Sequence, residues 1–330
     1  MNNENALTGK NSLLGRIRNS SLTGIIAFLL ILCIILSLTT KNFLSMYNAR
    51  VIMMSAMITA VVGFSQMVII ATGGMNLSIG YIGGLSAIIC ASAMQNHGMA
   101  TPVSILLGFL VGAACGFVNG LLIHLLGDSG VMAFLVTLAT SFAIQGIMQG
   151  YSQARSYVSL NADFNWIGSA SLFGMPLLAY VMVGIAVLMW FLFNRTGLGK
   201  QLLAFGANNR AAILYGVRPG FTLIAAHTIS GLLAACAGMM LSMRMGSATI
   251  DIGIDWMLFS FAAPIIGGTR QAGGRVNVPG AVIGAIILCT IENGIVHLNI
   301  DVYWTELIKG VVILLAVVID TMRDIRRGRA

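Results

Sequence analysis

Long apolar runs alternate with short polar or glycine-rich breaks along almost the whole chain. The runs lie at 22–38, 49–71, 78–95, 102–126, 131–150, 174–193, 219–243, 256–268, 279–297 and 304–320. Most reach the length of about 18 residues that a helix needs to cross a bilayer, and each is predicted as a helix. The eighth run is short and contains Pro264, so it is the weakest of the ten. The short alternating segments of a membrane β-barrel are absent. The pattern predicts an all-α polytopic membrane protein of about ten transmembrane helices. A tail at 1–21 precedes one membrane domain at 22–320, and a basic tail follows at 321–330. Neither long connection, at 151–173 or 194–218, approaches the size of a soluble catalytic domain.

Composition agrees. Hydrophobic residues make up 58% of the chain, charged residues 8%, and the mean hydropathy is +0.92. A soluble domain carries roughly 25% charged residues, so this chain cannot cover a soluble surface. The formal charge of +8 has its source in the connections. The N-terminal tail, 127–130, 194–218, 269–278 and the C-terminal tail hold 13 of the 18 Lys and Arg; Lys41, Arg50, Arg155, Arg244 and Lys309 are the others. This asymmetry follows the positive-inside rule. It puts both termini in the cytoplasm and argues against nucleic acid as a partner. The first run follows Lys10, Arg16 and Arg18 as a signal peptide would, but no small-x-small cleavage pattern follows it, so an uncleaved first helix is expected. Five cysteines lie inside apolar runs without metal-ligand spacing and are expected to be packing residues, with no metal site.

Small residues mark close helix contacts. Gly108, Gly112, Gly116 and Gly120 recur every four residues in the fourth run, on one helix face. Gly280 and Gly284 repeat that spacing in the ninth; Gly231 and Ala235, and Ala234 and Gly238, do so in the seventh. The fourth run, GAACGFVNGLLIHL, and the ninth, GAIILCTIENGIVHL, also echo each other loosely. Two such helices, five apart and oppositely directed, are what an inverted five-helix repeat produces.

Catalytic constellations are missing. GLGK at 197–200 lacks the spacing of a phosphate-binding loop, and no HExxH, GxSxG or carboxylate pair occurs. No catalytic residue and no cofactor bound by this chain are predicted. Ionisable candidates at membrane depth are few: Glu292 above all, then His124, His227 and His297. The polar residues of the apolar runs are mostly uncharged: Gln66, Asn76, Ser78, Asn119, Thr137, Thr140, Ser141, Gln145, Gln149 and Asn293. Thr137, Thr140, Ser141 and Gln145 share one helix face. Such groups suit a neutral polyhydroxylated solute, and equally suit hydrogen bonds between helices. Gln66, Asn76, Ser78, Asn119, Thr137, Ser141, Glu292 and Asn293 are the candidate pathway residues. Two other segments stand out. NADFNWIG in the outer loop has Phe164 and Trp166 at aromatic-belt spacing, which predicts a helix lying in the interface. In the inner loop a short helix at 208–214, capped by Asn208 or Asn209 and bracketed by Gly206 and Gly216, forms a rigid element for pushing on another protein.

These segments together resemble one family. GGMNLSIG (73–80) resembles the GGxDLSxG element of bacterial ABC importer permeases for ribose, xylose, arabinose and related sugars. AFGANNRAAILYGV (204–217) is similar to their AxGGNxxAAxxxGI element, IIGGTRQAGGRVNVPGAVIGA (265–285) to their IGGTxxxGGxGxxxGxxxGA element, and YWTELIKGVVILLAVVID (303–320) to their closing helix. The resemblance spans roughly 40–320, with the motifs in order. It implies a ten-helix fold like that of type II ABC importers, typified by the vitamin B12 and branched-chain amino acid permeases. It implies a second permease subunit, a cytoplasmic ATP-binding subunit that carries ATP and Mg, and an external solute-binding protein. The 208–216 segment would correspond to the coupling helix, with Gly206, Asn208, Ala211, Ala212 and Gly216 matching the motif and Asn209 and Arg210 between them. The chain departs from the pattern at Asn76, where Asp is usual, at Ala207 in place of a second Gly, and at Met257 and Phe259, where acidic residues are common. Substrate identity and homodimer versus heterodimer therefore stay open. A nucleoside, branched-chain amino acid or autoinducer-like solute is the alternative within the architecture; an ion-coupled secondary transporter or a channel is the alternative outside it.

Overall fold

The computed structural model describes residues 21–301 apart from 128, 129 and 159, and scattered positions between 304 and 318. The two predicted tails and most of the tenth predicted helix, 304–320, lie outside the described residues. Among the described residues, seven helices are long and apolar enough to cross a membrane. They are α1 (Ser21–Thr39), α2 (Met46–Ala71), α4 (Thr101–Leu126), α5 (Gly130–Ser152), α7 (Leu177–Arg195), α10 (Pro219–Met245) and α13 (Val278–His297).

The third predicted helix is the shorter α3 (Ile79–Gln95). The eighth is split into α11 (Trp256–Phe259) and α12 (Ala262–Ile266). Pro264 explains the place of the split. It has no N–H, and its ring clashes with the carbonyl four residues back, which is that of Ser260. The ladder therefore stops at Ser260, whose N–H still reaches Trp256, and restarts from Phe261, whose carbonyl accepts from Ile265.

The bundle is assembled by backbone approach. Helices α4 and α10 run antiparallel, and the predicted glycine face of α4 is their seam. Gly108 lies against Met239 and Ser86, Gly112 against Gly231 and Ala235, Gly116 against the His227 carbonyl, and Gly120 against Leu223 and Ile224. At Gly112 an added Cβ would come within 2.5 Å of the Gly231 carbonyl oxygen. Helix α10 also meets α3 where Gly238 abuts Gly83. Helix α13 packs on α2 and α12 in a comparable way, with Gly280 on Gly267 and Gly284 on the Ala263 carbonyl. Without a hydrophobic drive between helices in lipid, such close contacts supply the association energy. Buried apolar side chains from α2, α3, α10 and the flanking helices fill the space around these seams.

One end of the bundle carries Arg195, Lys200, Arg210, Arg218, Arg270 and Arg275. There α7 continues into α8 (Gly197–Ala207) and α9 (Asn209–Leu214). At the other end, β1 (Tyr157–Val158) pairs antiparallel with β4 (Ser247–Ala248), and a hairpin joins β2 (Ser171–Leu172) to β3 (Met175–Pro176). The expected helix of the 151–173 loop is present as α6 (Ala162–Ser169). Its two aromatics part company: Phe164 is buried, whereas Trp166 is exposed.

The seam predicts an asymmetry among glycines. Gly116→Leu should drive α4 off α10 and sharply lower the yield of monodisperse protein in detergent, since overpacking costs about 1–3 kcal/mol or more. Gly146→Ala in α5 meets nothing within 4 Å; it should keep the yield and hold or raise the melting temperature.

Candidate functional site

Between α2 and α3 the helical ladder is interrupted. The N–H groups of Thr72, Gly73 and Gly74 turn back onto the carbonyls of Ile69 and Ile70, and Gly73 takes a φ of +76°. The chain then runs through Met75, Asn76, Leu77 and Ser78 before α3 begins. In a bilayer such a stretch is tolerated only where protein covers it or a water-filled cavity meets it. Side chains accept from two of its N–H groups. The Leu77 N–H donates to Thr137 Oγ1 of α5 at 3.1 Å, and the Ser78 N–H to Asn76 Oδ1 at 2.9 Å.

From Asn76 a single directed chain of hydrogen bonds crosses the bundle. Asn119 Nδ2 of α4 donates to Ser78 Oγ (2.7 Å), and Ser78 Oγ donates to Asn76 Oδ1 (2.7 Å). Asn76 Nδ2 donates to Ser230 Oγ of α10 (3.3 Å). Ser230 Oγ lies 3.0 Å from Ser65 Oγ of α2, which donates to the Ser230 carbonyl (2.8 Å). Ser65, Asn76, Ser78, Asn119, Thr137 and Ser230 are all fully buried, and none is charged. A carboxamide at 76 does what a carboxylate could not: it accepts from Ser78 and donates to Ser230 at once.

Of the predicted pathway residues, the fold thus gathers Asn76, Ser78, Asn119 and Thr137. Ser141 lies one turn along the same face of α5 and donates to the Leu138 carbonyl of its own helix. Gln66 is adjacent to Ser65 in sequence and fully buried, and neither of its amide atoms has a protein partner; Asn119 Oδ1 also lacks one. Glu292 and Asn293 are not brought to this cluster. Asn293 exchanges hydrogen bonds with Asn48 at the start of α2, at 2.7 and 2.9 Å, and its carbonyl meets His297 Nδ1. Sequence reasoning missed Ser65 and Ser230, which stand beside the more conspicuous polar residues Gln66 and His227. It also missed a cavity of about 20 Å³ beside this link, lined by Thr72, Gly73, Gly74, Phe205, Leu223 and His227 among others. That is room for about one water, and His227 Nδ1 is buried there without a protein partner.

A second element sits at the basic end. Asn208 caps α9, its Oδ1 accepting from the Ala211 N–H at 3.0 Å. The far end closes with paired bonds, Val217 N–H to the Ala212 carbonyl and Gly216 N–H to that of Ile213, with Gly216 at φ +88°. This Schellman closure and the Asn cap hold a two-turn helix rigid. Ala212 is its buried anchor; Asn209, Arg210, Leu214 and Tyr215 point outward.

The two elements touch through backbone. A Cβ at Gly206 would overlap the Ala71 carbonyl oxygen and crowd the Gly274 nitrogen. Gly273 abuts Gly73 and the Gly206 carbonyl, and the Gly274 N–H donates to the Ala71 carbonyl at 3.2 Å. The methyl of Ala207 fills the space over Gly274. Three stretches far apart along the chain thus meet at one junction: the end of α2, the end of α8, and the glycine pair before α13.

A family model described as the permease component of the branched-chain amino acid transport system matches residues 48–317. The chain belongs to that family. It is 34% identical over 299 residues to the ribose import permease protein of Bacillus subtilis (strain 168), covering 90% of this chain and 91% of the relative. The D-allose transport system permease protein of Escherichia coli (strain K12) is 31% identical over 293 residues, 89% of each chain. The galactose/methyl galactoside import permease protein of the same strain is 31% identical over 326 residues, 92% of this chain and 95% of the relative. No solved structure matches the permease.

Three substitutions test this geometry. Asn76→Leu strips the Ser78 N–H of its acceptor and should destabilise the permease by about 1–3 kcal/mol, read as a lower melting temperature in detergent; Ser230→Ala, at the end of the chain, should cost less. Asn208→Ala removes only a cap, worth about 1 kcal/mol. It should leave global melting near wild type while increasing proteolysis within 208–217.

Proposed function

We propose that this chain is the membrane-spanning permease subunit of an ABC importer, moving a monosaccharide or related neutral polar solute into the cytoplasm. The observation that carries the reading is the single backbone junction linking the buried polar cluster at Asn76 to the capped, outward-facing α9. A push on α9 has a short rigid route to the interrupted helix: α8 ends on the residues where α2 stops.

In this mechanism α9 is the coupling helix, with Asn209, Arg210, Leu214 and Tyr215 meeting a groove on a cytoplasmic ATP-binding subunit that holds ATP and Mg. Closure of the ATPases moves α9, and access to a pathway between two permease subunits alternates. An external solute-binding protein delivers the solute. Gln66, Asn76, Ser78, Asn119, Thr137 and Ser141 contribute uncharged groups toward that pathway. The open acceptor of Asn119 and the unpaired amide of Gln66 offer hydrogen bonds in both senses, which matches hydroxyl groups. An amino acid zwitterion would instead require charged partners at depth, and this cluster has none; the names of the sugar-importing relatives point the same way.

The proposal takes the tenth helix to follow α13, both termini to be cytoplasmic, and the membrane to be the bacterial inner membrane. It also takes the two halves to be an inverted repeat. Support comes from the packing: α4 lies on α10 and α3, while its counterpart α13 lies on α2 and α12, which are the equivalent partners under that symmetry.

Reconstitution in proteoliposomes tests the reading. Solute uptake should require the ATPase subunit and ATP, ignore imposed proton or sodium gradients, and fall strongly on Arg210→Glu with permease insertion intact. Uptake without any ATPase, following an ion gradient, would overturn it. A single-cysteine probe at Arg210→Cys, labelled only from inside, checks the orientation separately.

A further inference from the structure

At the basic end, a cavity of about 310 Å³ opens between the last turns of α7, the middle of α8 and the segment entering α13. Its apolar wall is Trp190, Phe193, Leu203 and Val276; Asn194 and Arg275 form its polar rim. Arg195 lies over the Trp190 ring, 5.8 Å from the centroid. Trp190 is 44% exposed and continues the outward face of α7, which carries Val183, Val187 and Phe191. That face contacts lipid in a monomeric bundle, so the cavity opens where the acyl region meets the headgroups. The stretches 190–203 and 270–280 contain Arg195, Lys200, Arg270 and Arg275 and no acidic residue.

We propose that this cavity is a site for an anionic phospholipid, its phosphate held by Arg275 at the rim and its upper acyl chain along Trp190 and Phe193. The charge complementarity selects the occupant. Basic pockets between helices on the cytoplasmic side bind acidic headgroups, whereas a neutral lipid gains nothing from the rim. The cavity also includes Gly274, whose N–H holds the Ala71 carbonyl at the three-way junction. A lipid seated there bears directly on the contact between α8 and α2. The proposal rests on the orientation given above, with the basic end in the cytoplasm; the Arg210→Cys labelling tests that orientation independently, so the two failures are distinguishable.

The full importer complex in nanodiscs supplies the test. Brominated phosphatidylglycerol should quench tryptophan emission more than brominated phosphatidylcholine at equal mole fraction, and the difference should vanish in Trp190→Phe. Arg275→Gln should lower the phosphatidylglycerol preference about fivefold, the worth of one cationic side chain at an anionic surface. Val276→Phe, which narrows the cavity without adding a fluorophore that the assay reads, should lower it as well. Equal quenching by the two lipids, or a preference unchanged in both variants, overturns the assignment. So does an identical emission change from inorganic phosphate alone, which marks a free-anion site. Cross-linking of Arg275→Cys between two permeases also overturns it, since a second copy then covers the cavity.

Discussion

A backbone that leaves its helix inside a bilayer is tolerated only where protein buries it or a water-filled cavity meets it. The interior of this protein is arranged around one such departure, at 72–78. Because the α2 ladder stops at Ala71, Thr137 must stand opposite Leu77, and Asn76 must fold back on Ser78. Because Asn76 is thereby fixed, its amide can reach Ser230, and Ser78 can receive Asn119. Four helices are thus oriented by the needs of one short link. The neutral character of the network follows from the same constraint, since a buried charge at this depth would need a paired counter-charge that the cluster does not contain.

The glycine seams make that arrangement reachable. Side chains on Asn76, Ser78 and Asn119 are short, so their parent backbones must lie close together before any of these bonds can form. The α4–α10 seam brings Asn119 near enough to Ser78, and the Gly83–Gly238 contact sets α3 on α10 at the distance Ser230 requires. Packing and polar satisfaction are therefore not separate contributions here. Loss of a seam glycine would break hydrogen bonds made by residues it never touches.

Much of this was legible in the sequence, and the reason is geometric. A four-residue glycine period can only be one face of a helix, so the α4 seam was readable from spacing alone. The capped helix at 208–214 was readable because its cap and its terminating glycine are local features. Pro264 signalled a defect in the eighth helix, but the break lies four residues earlier, at the carbonyl its ring displaces. What did not show was pairing across the chain. Nothing in the runs around Ser65 and Ser230 says that they face each other, and nothing in the run of α13 says that Asn293 turns to Asn48 instead of to Asn76. Uncharged polar residues in a membrane helix look alike in sequence whether they line a path or bond a neighbour; only the fold sorts them.

The junction of Gly73, Gly206 and the Gly273–Gly274 pair has one more consequence. It is made of main chain on all three sides, with the Ala207 methyl as its largest group. Parting it would release no side-chain rotamers, and closing it again would freeze none. Beside it, the buried Leu202 and Phe205 of α8 hold that helix in the core. A joint of that kind keeps one register as it carries a displacement, because there are no alternative side-chain arrangements for it to settle into.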